Sequence, residues 1–356
     1  MIKIYFNLVC KSDHRMNSKR FFYLLMLLAI TSNANSQTLQ ILTTDTKTSF
    51  RGLSAVNDKV IWASGNNGTI VKSTDGGKSW QSLVVTGYEK KDFRDIEAFD
   101  SNVALIMAVA EPALILRTID GGKNWQPVFE DSTKGMFLDA MDFADENTGM
   151  VIGDPVNNKV FLALTVDKGE SWIDPLRGDT SRLPSLFTNE AFFASSGTNI
   201  CIRRNRDREL TWTYVSGGMK SRFFTKNSIF EISMIQGKES TGANSIAINS
   251  ANDIVVVGGD FKNDKDPTGN CVLSNDYGET WHQPKTPPHG YRSSVCYINK
   301  KQLIACGTSG IDISDDGGLN WQLISSESFH VVQKAKKGSS IFLAGNGGRI
   351  AKLVFK

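Results

Sequence analysis

The chain has 356 residues, of which 22% are charged, and a formal net charge of +3 at pH 7. The first 36 residues hold five basic residues against one acid, so the remainder is close to neutral and lacks the basic field that nucleic-acid binding requires. The sequence has no glycine-rich strand-to-helix turn, no haem or flavin motif and no Cys/His cluster with metal spacing. It therefore predicts no cofactor, no metal site and no redox chemistry.

A leader opens the chain. The basic residues Lys19 and Arg20 precede ten apolar residues, FFYLLMLLAI (21–30), and the small and polar residues TSNANSQ follow. This is the order of a secretory signal peptide, and ten apolar residues are too few to span a bilayer. Met16 lies directly before this segment and is an alternative start. We expect residues 1–36 to be removed, and the rest to be exported to the periplasm, the cell surface or the medium as a monomer without a membrane span.

One short turn is repeated five times after the leader. It appears as STDGGKSW (73–80), RTIDGGKNW (117–125), LTVDKGESW (164–172), SNDYGETW (274–281) and SDDGGLNW (314–321). An Asp that accepts backbone hydrogen bonds, followed by a Gly able to adopt positive φ, closes a tight hairpin, and the Trp then begins a strand and packs on a neighbouring unit. We therefore interpret the repeated residues as structural rather than catalytic: Asp75, Asp120, Asp167, Asp276 and Asp316, with Trp80, Trp125, Trp172, Trp281 and Trp321.

The spacing of this repeat predicts the fold. The five tryptophans lie 40 to 47 residues apart, except for one gap of 109 that leaves room for two more units. Apolar runs, most of which end in Gly, recur seven times, beginning at residues 61, 104, 150, 212, 254, 303 and 341. Units of this length with four short strands each are typical of β-propellers. The sequence predicts an all-β chain that forms a single seven-bladed propeller over residues 37–356, with four antiparallel strands per blade.

Two units depart from the repeat. The segment RNRDRELTW (204–212) imitates a box but has Glu209 in place of the Gly, so we expect SRFFTKNS (221–228) to replace the box in a degenerate fourth blade. The last unit ends after its third strand. We expect TLQILTTDT (38–46) to supply the fourth strand, because pairing of the two chain ends closes the ring and removes its open edges.

Candidate ligand-binding residues come from the predicted innermost strands, which line the central channel. We place their beginnings at SFRGL (49), DFRDI (92), MFLDA (136), TNEAF (188), GANSI (242), GYRSS (290) and SFHVV (328). The position after the aromatic residue then reads Arg51, Arg94, Leu138, Glu190, Asn244, Arg292 and His330, and the next reads Gly52, Asp95, Asp139, Ala191, Ser245, Ser293 and Val331.

Three arginines and a histidine in one ring predict a site for a carboxylate or a phosphate. Structural Arg–Asp ion pairs that stiffen the ring are the alternative. Asp154 and Asp260, in loops that follow Gly-ended strands, are further candidates for ligand binding, or else turn formers. Of the four cysteines after the leader, Cys201, Cys271, Cys296 and Cys306, the last two could form a disulfide across one hairpin or remain buried thiols.

The repeated turn resembles the Asp box, or bacterial neuraminidase repeat, of sialidases, sortilin-type propellers, some xyloglucan hydrolases and the photosystem II stability and assembly factor family. The leader, the seven units and boxes such as STDGGKSW (73–80) are together similar to that last family and its exported bacterial relatives. The resemblance implies a binding or assembly scaffold whose arginine-rich face is Arg51, Arg94 and Arg292. Its partner would be a protein of the cell envelope or an anionic ligand such as a glycan.

The resemblance to sialidases implies an alternative function, glycoside hydrolysis. Sialidases hold the substrate carboxylate with three arginines and use a Tyr nucleophile assisted by Glu, roles for which the chain offers the same three arginines with Tyr291 and Glu190. The sialidase FRIP segment appears only as FRGL (50–53), and sialidases have six blades. A xyloglucan-type enzyme needs two opposed carboxylates, for which the candidates are Asp95, Asp139 and Glu190. Both functions stay open, and the scaffold is favoured.

Overall fold

Seven antiparallel sheets follow one another around a central channel, which confirms the predicted all-β, seven-bladed propeller. The computed structural model describes residues 37–42 and 44–355, so the predicted leader lies outside the described part of the chain. The first strand, β1 (Gln37–Leu42), lies at the outer edge of the last blade, next to the C-terminal strand. The predicted closure of the ring by the two chain ends is therefore confirmed.

Blades 1 to 3 are formed in chain order, each from its innermost strand outward. Blade 1 contains β2 (Phe50–Ala55), β3 (Ile61–Gly65), β4 (Thr69–Ser73) and β5 (Gln81–Val84). Blade 2 contains β6 (Phe93–Ala98), β7 (Ala104–Ala108), β8 (Ala113–Thr118) and β9 (Gln126–Asp131). Blade 3 contains β10 (Leu138–Phe143), β11 (Gly149–Val156) and β12 (Lys159–Thr165), and a 3₁₀ turn follows at Thr180–Arg182.

Blade 4 is preceded by the short strand β13 (Glu190–Ala191) and contains β14 (Ile200–Arg204), β15 (Leu210–Val215), β17 (Arg222–Thr225) and β18 (Ile229–Glu231). The short strand β16 (Gly217–Gly218) follows β15. Blade 5 contains β19 (Thr241–Ile248), β20 (Ile254–Asp260) and β21 (Cys271–Ser274), and β16 and β13 extend its sheet on the inner side. The prediction that residues 188–192 begin the innermost strand of blade 4 is wrong, because β14 holds that place.

Blades 6 and 7 complete the ring. Blade 6 contains β22 (Ser294–Tyr297), β23 (Leu303–Gly307), β24 (Gly310–Ser314) and β25 (Gln322–Ser325). Blade 7 contains β26 (Val331–Lys334), β27 (Ile341–Ala344) and β28 (Ile350–Phe355), with β1 as its outermost strand. The outermost strands of blades 3 and 5 are reduced to single bridges, at Leu164–Ile173 and Leu273–His282.

The hydrophobic core lies between neighbouring blades rather than inside them. Leu53, Ala63 and Val71 of blade 1 pack against Val331 and Phe342 of blade 7, for example. Each box tryptophan packs against the cluster between its own blade and the preceding one: Trp80, Trp125, Trp172, Trp281 and Trp321. The repeated apolar strands therefore bury their surfaces only when the blades stack, which is why a ring forms.

The five boxes form one hydrogen-bonded turn between the third strand and the outer edge of the blade. In blade 1, Asp75 accepts the Ser79 amide at 3.0 Å and its hydroxyl at 2.6 Å, and the Ser73 hydroxyl accepts the amide of Gly77, whose φ is 86°. The other four boxes repeat these contacts. The hydrogen bonds from Ser79 lower the pKa of Asp75 to about 2, so this carboxylate stays ionised and closes a turn.

Blade 4 has no box, as the sequence predicted. Its third and outermost strands are joined by a tight turn in which the Thr225 hydroxyl accepts the amides of Asn227 at 3.3 Å and Ser228 at 2.9 Å. A hydroxyl at the start of the turn thus replaces the Asp.

Candidate functional site

A cavity of about 430 Å³ opens at the end of the channel where the innermost strands begin. Its lining divides into two sides. Blades 7, 1 and 2 contribute basic side chains, namely His330, Arg51 and Arg94. The segments around blades 3 to 5 contribute an aromatic wall of Phe137, Phe192, Phe193 and Phe261. Polar groups between the two sides are Asp154, Ser195, Asn244, Tyr291, Ser293 and Thr308.

β-Bulges place Arg51, Arg94 and Asn244 in the lining of this cavity. In four blades the first and second strands lose register by one residue, and the extra residues are Arg51, Arg94, Asp139 and Asn244. The residues predicted for the ring in blades 1, 2 and 5, Arg51, Arg94 and Asn244, thus lie at these bulges. In blade 3 the bulged residue is Asp139, one position after the predicted Leu138.

Two guanidinium groups face the cavity from neighbouring blades. Arg51 donates to the carbonyl of Ser195 at 3.3 Å, and burial together with the charge of Arg94 lowers the pKa of Arg51. Arg94 donates through Nε to Asp92 at 2.8 Å, and the two side chains are 32% and 33% exposed. The two arginines repel each other in the unliganded cavity, and an oxyanion placed between them would remove that repulsion.

His330 is neutral at pH 7. Burial and the charge of Arg51 lower its pKa to about 4, although the hydrogen bond to the Phe50 carbonyl opposes this shift. Nδ1 lies 2.9 Å from that carbonyl oxygen, which can only accept, so Nδ1 carries the proton and Nε2 is an acceptor. His330 therefore adds no positive charge to the cavity.

Two carboxyl groups lie on the blade 3 side. Asp154 accepts the amide of Phe192 at 2.9 Å, and burial raises the pKa of Asp154 to about 6. Asp139 is fully buried, and burial and the charge of Asp154 raise its pKa well above the usual range, against the effect of Arg94. Asp154 fixes the position of the aromatic wall through the Phe192 amide, and Asp139 has no exposed surface with which to contact a ligand.

The other two catalytic candidates make structural contacts. Asp95 is buried and accepts the amides of Ile96 at 2.8 Å and Met141 at 2.7 Å, which ties the innermost strands of blades 2 and 3 together. Glu190 is fully buried and forms a two-pronged ion pair with Arg222, at 2.7 and 2.6 Å. Asp95, Asp139 and Glu190 therefore do not form the pair of exposed carboxyl groups that a glycosidase uses.

Arg292 and Asp260 do not line the cavity. Arg292 is fully buried and pairs with Asp312, a contact that corresponds to the alternative of structural ion pairs. Asp260 accepts the amide of Lys262 at 2.9 Å and lies 3.7 Å from the ammonium group of Lys238.

The aromatic wall was missed by sequence reasoning. Phe192 and Phe193 lie in the segment that was interpreted as the innermost strand of blade 4, and Phe261 lies in the loop that follows β20. Phe193 and Phe261 meet edge to face at 6.0 Å. The adjacent pair of phenylalanines was the available signal. Successive side chains of a strand point to opposite faces, so a strand would place only one of the two in the core.

The cysteines and the carboxylate and histidine side chains of the described residues form no further site. All four described cysteines are free, and Cys296 and Cys306 are opposite Ile304 and Ser294 rather than opposite each other. Within residues 37–42 and 44–355, no group of three or more His, Cys, Asp or Glu side chains could hold a metal ion. None of the helical segments in that part of the chain is long and apolar enough to cross a membrane.

Comparisons with known proteins agree with the resemblance that the repeated box indicates. The sequence model of the family described as photosynthesis system II assembly factor YCF48 matches residues 31–135. No curated protein sequence matches significantly.

Solved structures share the fold over almost the whole chain. A structure titled YCF48 bound to D1 peptide has 16% identity and a TM-score of 0.59, over 91% of this chain and 98% of that one. YCF48 from Cyanidioschyzon merolae has 17% identity and a TM-score of 0.59, over 88% and 98%. A GH74 xyloglucanase from Xanthomonas campestris has 11% identity and a TM-score of 0.58, over 88% of this chain and 53% of that one. The chain is thus an Asp-box β-propeller similar to the photosystem II assembly factor YCF48.

Proposed function

We propose that this protein is a binding scaffold that holds a carboxylate-bearing segment of a partner protein in the cavity at the channel mouth. The observation that carries the proposal is the pair Arg51 and Arg94, two guanidinium groups that face one cavity. Among the described residues, the one ion pair made by these arginines is that of Arg94 with Asp92, which is partly exposed to solvent and therefore weak. Guanidinium groups bind carboxylates with two parallel hydrogen bonds.

The wall opposite the arginines favours a protein segment over a sugar or a small anion. Phe137, Phe192, Phe193 and Phe261 line the same cavity as the guanidinium groups and offer it an apolar surface. A peptide with an acidic residue beside a large apolar residue would satisfy both sides at once, since buried aromatic surface and charge-assisted hydrogen bonds would act on adjacent side chains.

Two further observations support a scaffold over a glycosidase. The candidate acids Asp95, Asp139 and Glu190 are buried, and Asp95 and Glu190 are engaged in contacts that hold strands and loops together. Among the structures with this fold, one is of YCF48 bound to D1 peptide. The leader in the sequence supports a partner in the cell envelope.

Labelled peptides test this function. The probes are fluorescein-labelled hexapeptides in which Asp or Glu is next to Phe, Tyr or Leu, each with a matched peptide that has Asn or Gln. Fluorescence anisotropy should show saturable binding of the acidic peptides. The affinity for the amide peptides should be lower by roughly tenfold or more, because a hydrogen bond to a charged group contributes about 1.5–3 kcal/mol.

The variants Arg51→Gln and Arg94→Gln should weaken binding of the acidic peptides by about tenfold or more. Arg182→Gln is the matched control, because Arg182 is exposed and does not line the cavity. Equal binding of acidic and amide peptides, or equal weakening by Arg182→Gln, would contradict the proposal. Turnover of a sialoside or another glycan, without peptide binding, would establish the hydrolase instead.

A further inference from the structure

A second groove lies at the opposite end of the innermost strands, and nothing in the proposed function uses it. The hairpin that joins β14 to β15 carries four arginines: Arg203, Arg204, Arg206 and Arg208. The loops in the same position of the other six blades, at 56–60, 99–103, 144–148, 249–253, 298–302 and 335–340, contain no arginine. Blade 4 therefore differs from the other blades in its guanidinium groups, whereas lysines supply the positive charge of the loops at 56–60, 298–302 and 335–340.

The hairpin is a fixed structure. The Asn205 side chain accepts the amides of Asp207 at 3.0 Å and Glu209 at 2.9 Å, and its own amide donates to the Glu209 carboxylate. Arg204 donates to Asp145 at 2.9 Å and to the Thr148 hydroxyl at 3.1 Å. The charge of Arg204 is thus used to attach the hairpin to blade 3, and the turn next to it is held rigid.

Arg203 and Arg206 face blade 5 across a cavity of about 740 Å³. Arg203 stacks on the ring of Tyr277 at 5.2 Å and donates through Nη1 to the carbonyl of Asn249 at 3.3 Å. Its guanidinium plane is therefore oriented before any ligand arrives. Arg206 lines the same groove, is exposed, and its side chain has no hydrogen-bond partner among the described residues.

Polar side chains complete the groove. Ser250 and Asn252 line it from blade 5, and neither side chain makes a hydrogen bond within the described part of the chain. Asp207 is the single acid in the lining, against Arg203, Arg204 and Arg206. A preoriented guanidinium, a second guanidinium without a partner and two neutral donors on the facing wall present donors from two sides.

We propose that this groove binds a phosphate group of a phosphoester. A phosphate offers several terminal oxygens in a tetrahedral arrangement, so it can accept hydrogen bonds from both walls at once, whereas the two oxygens of a carboxylate lie in one plane. The phosphoester comes either from a soluble metabolite or from a phospholipid headgroup. The site shares no lining residue with the cavity at the channel mouth, so it stands or falls independently of the peptide-binding function.

Glycerol 3-phosphate is the soluble probe, titrated at constant ionic strength and followed by broadening of its ³¹P resonance. Vesicles of phosphatidylcholine with and without phosphatidylglycerol are the second probe, followed by co-sedimentation. We expect saturable binding of glycerol 3-phosphate, with an affinity reduced roughly tenfold in Arg206→Gln because one charge-assisted contact is lost. Arg206 is exposed, so the variant should fold normally. Arg182→Gln and Arg94→Gln should bind as the unchanged protein does.

The two sources give different results. A soluble phosphoester is supported if glycerol 3-phosphate binds and the phosphatidylglycerol vesicles do not. A headgroup is supported if the vesicles bind, Arg206→Gln abolishes this binding and glycerol 3-phosphate competes for it. Absence of binding to both probes would overturn the proposal, as would an equal effect of Arg182→Gln, since that would indicate only a general response to net charge.

Discussion

Blades 2 and 6 begin with the same pair of residue types, an aromatic residue followed by arginine, and they place the pair in opposite ways. In blade 2, Phe93 is buried between blades and Arg94 faces the cavity. In blade 6, Tyr291 faces the cavity and Arg292 is fully buried. A shift of one residue moves a side chain to the other face of a strand, so the same dipeptide forms a binding surface in one blade and an interior ion pair in the other.

Backbone hydrogen bonds show where the shift arises. Phe50, which has the same place in blade 1 as Phe93 in blade 2, donates its amide to Gly345 of the preceding blade. In blade 6 the amide that makes the corresponding contact, to Gly258, belongs to Arg292. Arg292 therefore lies where blades 1, 2 and 7 have a buried phenylalanine and blade 3 has Leu138. Arginine can occupy this buried position because Asp312 supplies the carboxylate that a buried guanidinium group needs.

The largest expected effect is a difference in the free energy of unfolding between variants of Arg292 and variants of Arg94. Arg292→Ala should reduce the free energy of unfolding by about 3–5 kcal/mol, because the buried Asp312 carboxylate then loses its buried guanidinium partner and keeps only the contacts with the half-exposed His289. Arg94→Ala should reduce it by about 1 kcal/mol or less, since its pair with Asp92 is partly exposed. Urea denaturation measures both. The double variant Arg292→Met, Asp312→Leu should recover part of the loss, and a double variant as unstable as Arg292→Ala would show that the ion pair does not determine the packing of blade 6.

A smaller effect concerns the aromatic residues of the two pairs. Tyr291 donates its buried hydroxyl to Asn244 at 2.8 Å, a contact that Phe93 cannot make. Tyr291→Phe should therefore reduce the free energy of unfolding by about 1 kcal/mol. Tyr88→Phe is the control, because the Tyr88 hydroxyl has no partner among the described residues. If the two variants are equally stable in urea, the hydroxyl of Tyr291 does not hold blade 6 to blade 5.

The smallest expected effect is a pH dependence of binding at Arg94, caused by Asp154 of blade 3. Asp154, with a pKa of about 6, is neutral at pH 5 and mostly ionised at pH 7, and the ionised form repels a carboxylate bound by Arg94. Binding of the acidic peptides should weaken by about threefold from pH 5 to pH 7, or roughly 0.6 kcal/mol. Anisotropy titrations with Asp154→Asn should lose this dependence. A pH profile unchanged by the substitution would remove Asp154 from the site.

The fold could be predicted from the sequence because the box is a local structure. Ser73, Asp75 and Gly77 close their turn with hydrogen bonds to residues at most four positions away, so the sequence contains all that the turn needs. The spacing of such turns then counts the blades. Only the degenerate blade 4 required comparison with its neighbours. Its innermost strand was assigned to the wrong residues, because the segment that contains β13 does form a strand but joins the sheet of blade 5.

The site was only partly predictable, because it depends on contacts between distant segments. Arg51, Arg94 and His330 follow the repeat register, and the structure places all three in one cavity. To predict that Arg292 is buried, its partner Asp312 would have to be recognised in the sequence. One signal was available, since Asp312 lies two residues before the box Ser, where the other boxes have Val71, Leu116, Ala163 and Val272. The pairing of Glu190 with Arg222 links residues 32 positions apart and left no comparable pattern.

The pairing of β1 with β28 has a consequence for the order of folding. Every other blade is complete when a stretch of contiguous chain is available, whereas blade 7 joins strands from the two ends of the domain. Closure of so long a loop is slow relative to hairpin formation. During synthesis β1 is made first, but its partner strand β28 becomes available only after nearly the whole chain has been made. We therefore expect blade 7 to form last, so that a prematurely terminated chain keeps an open sheet edge and exposes itself to aggregation and proteolysis.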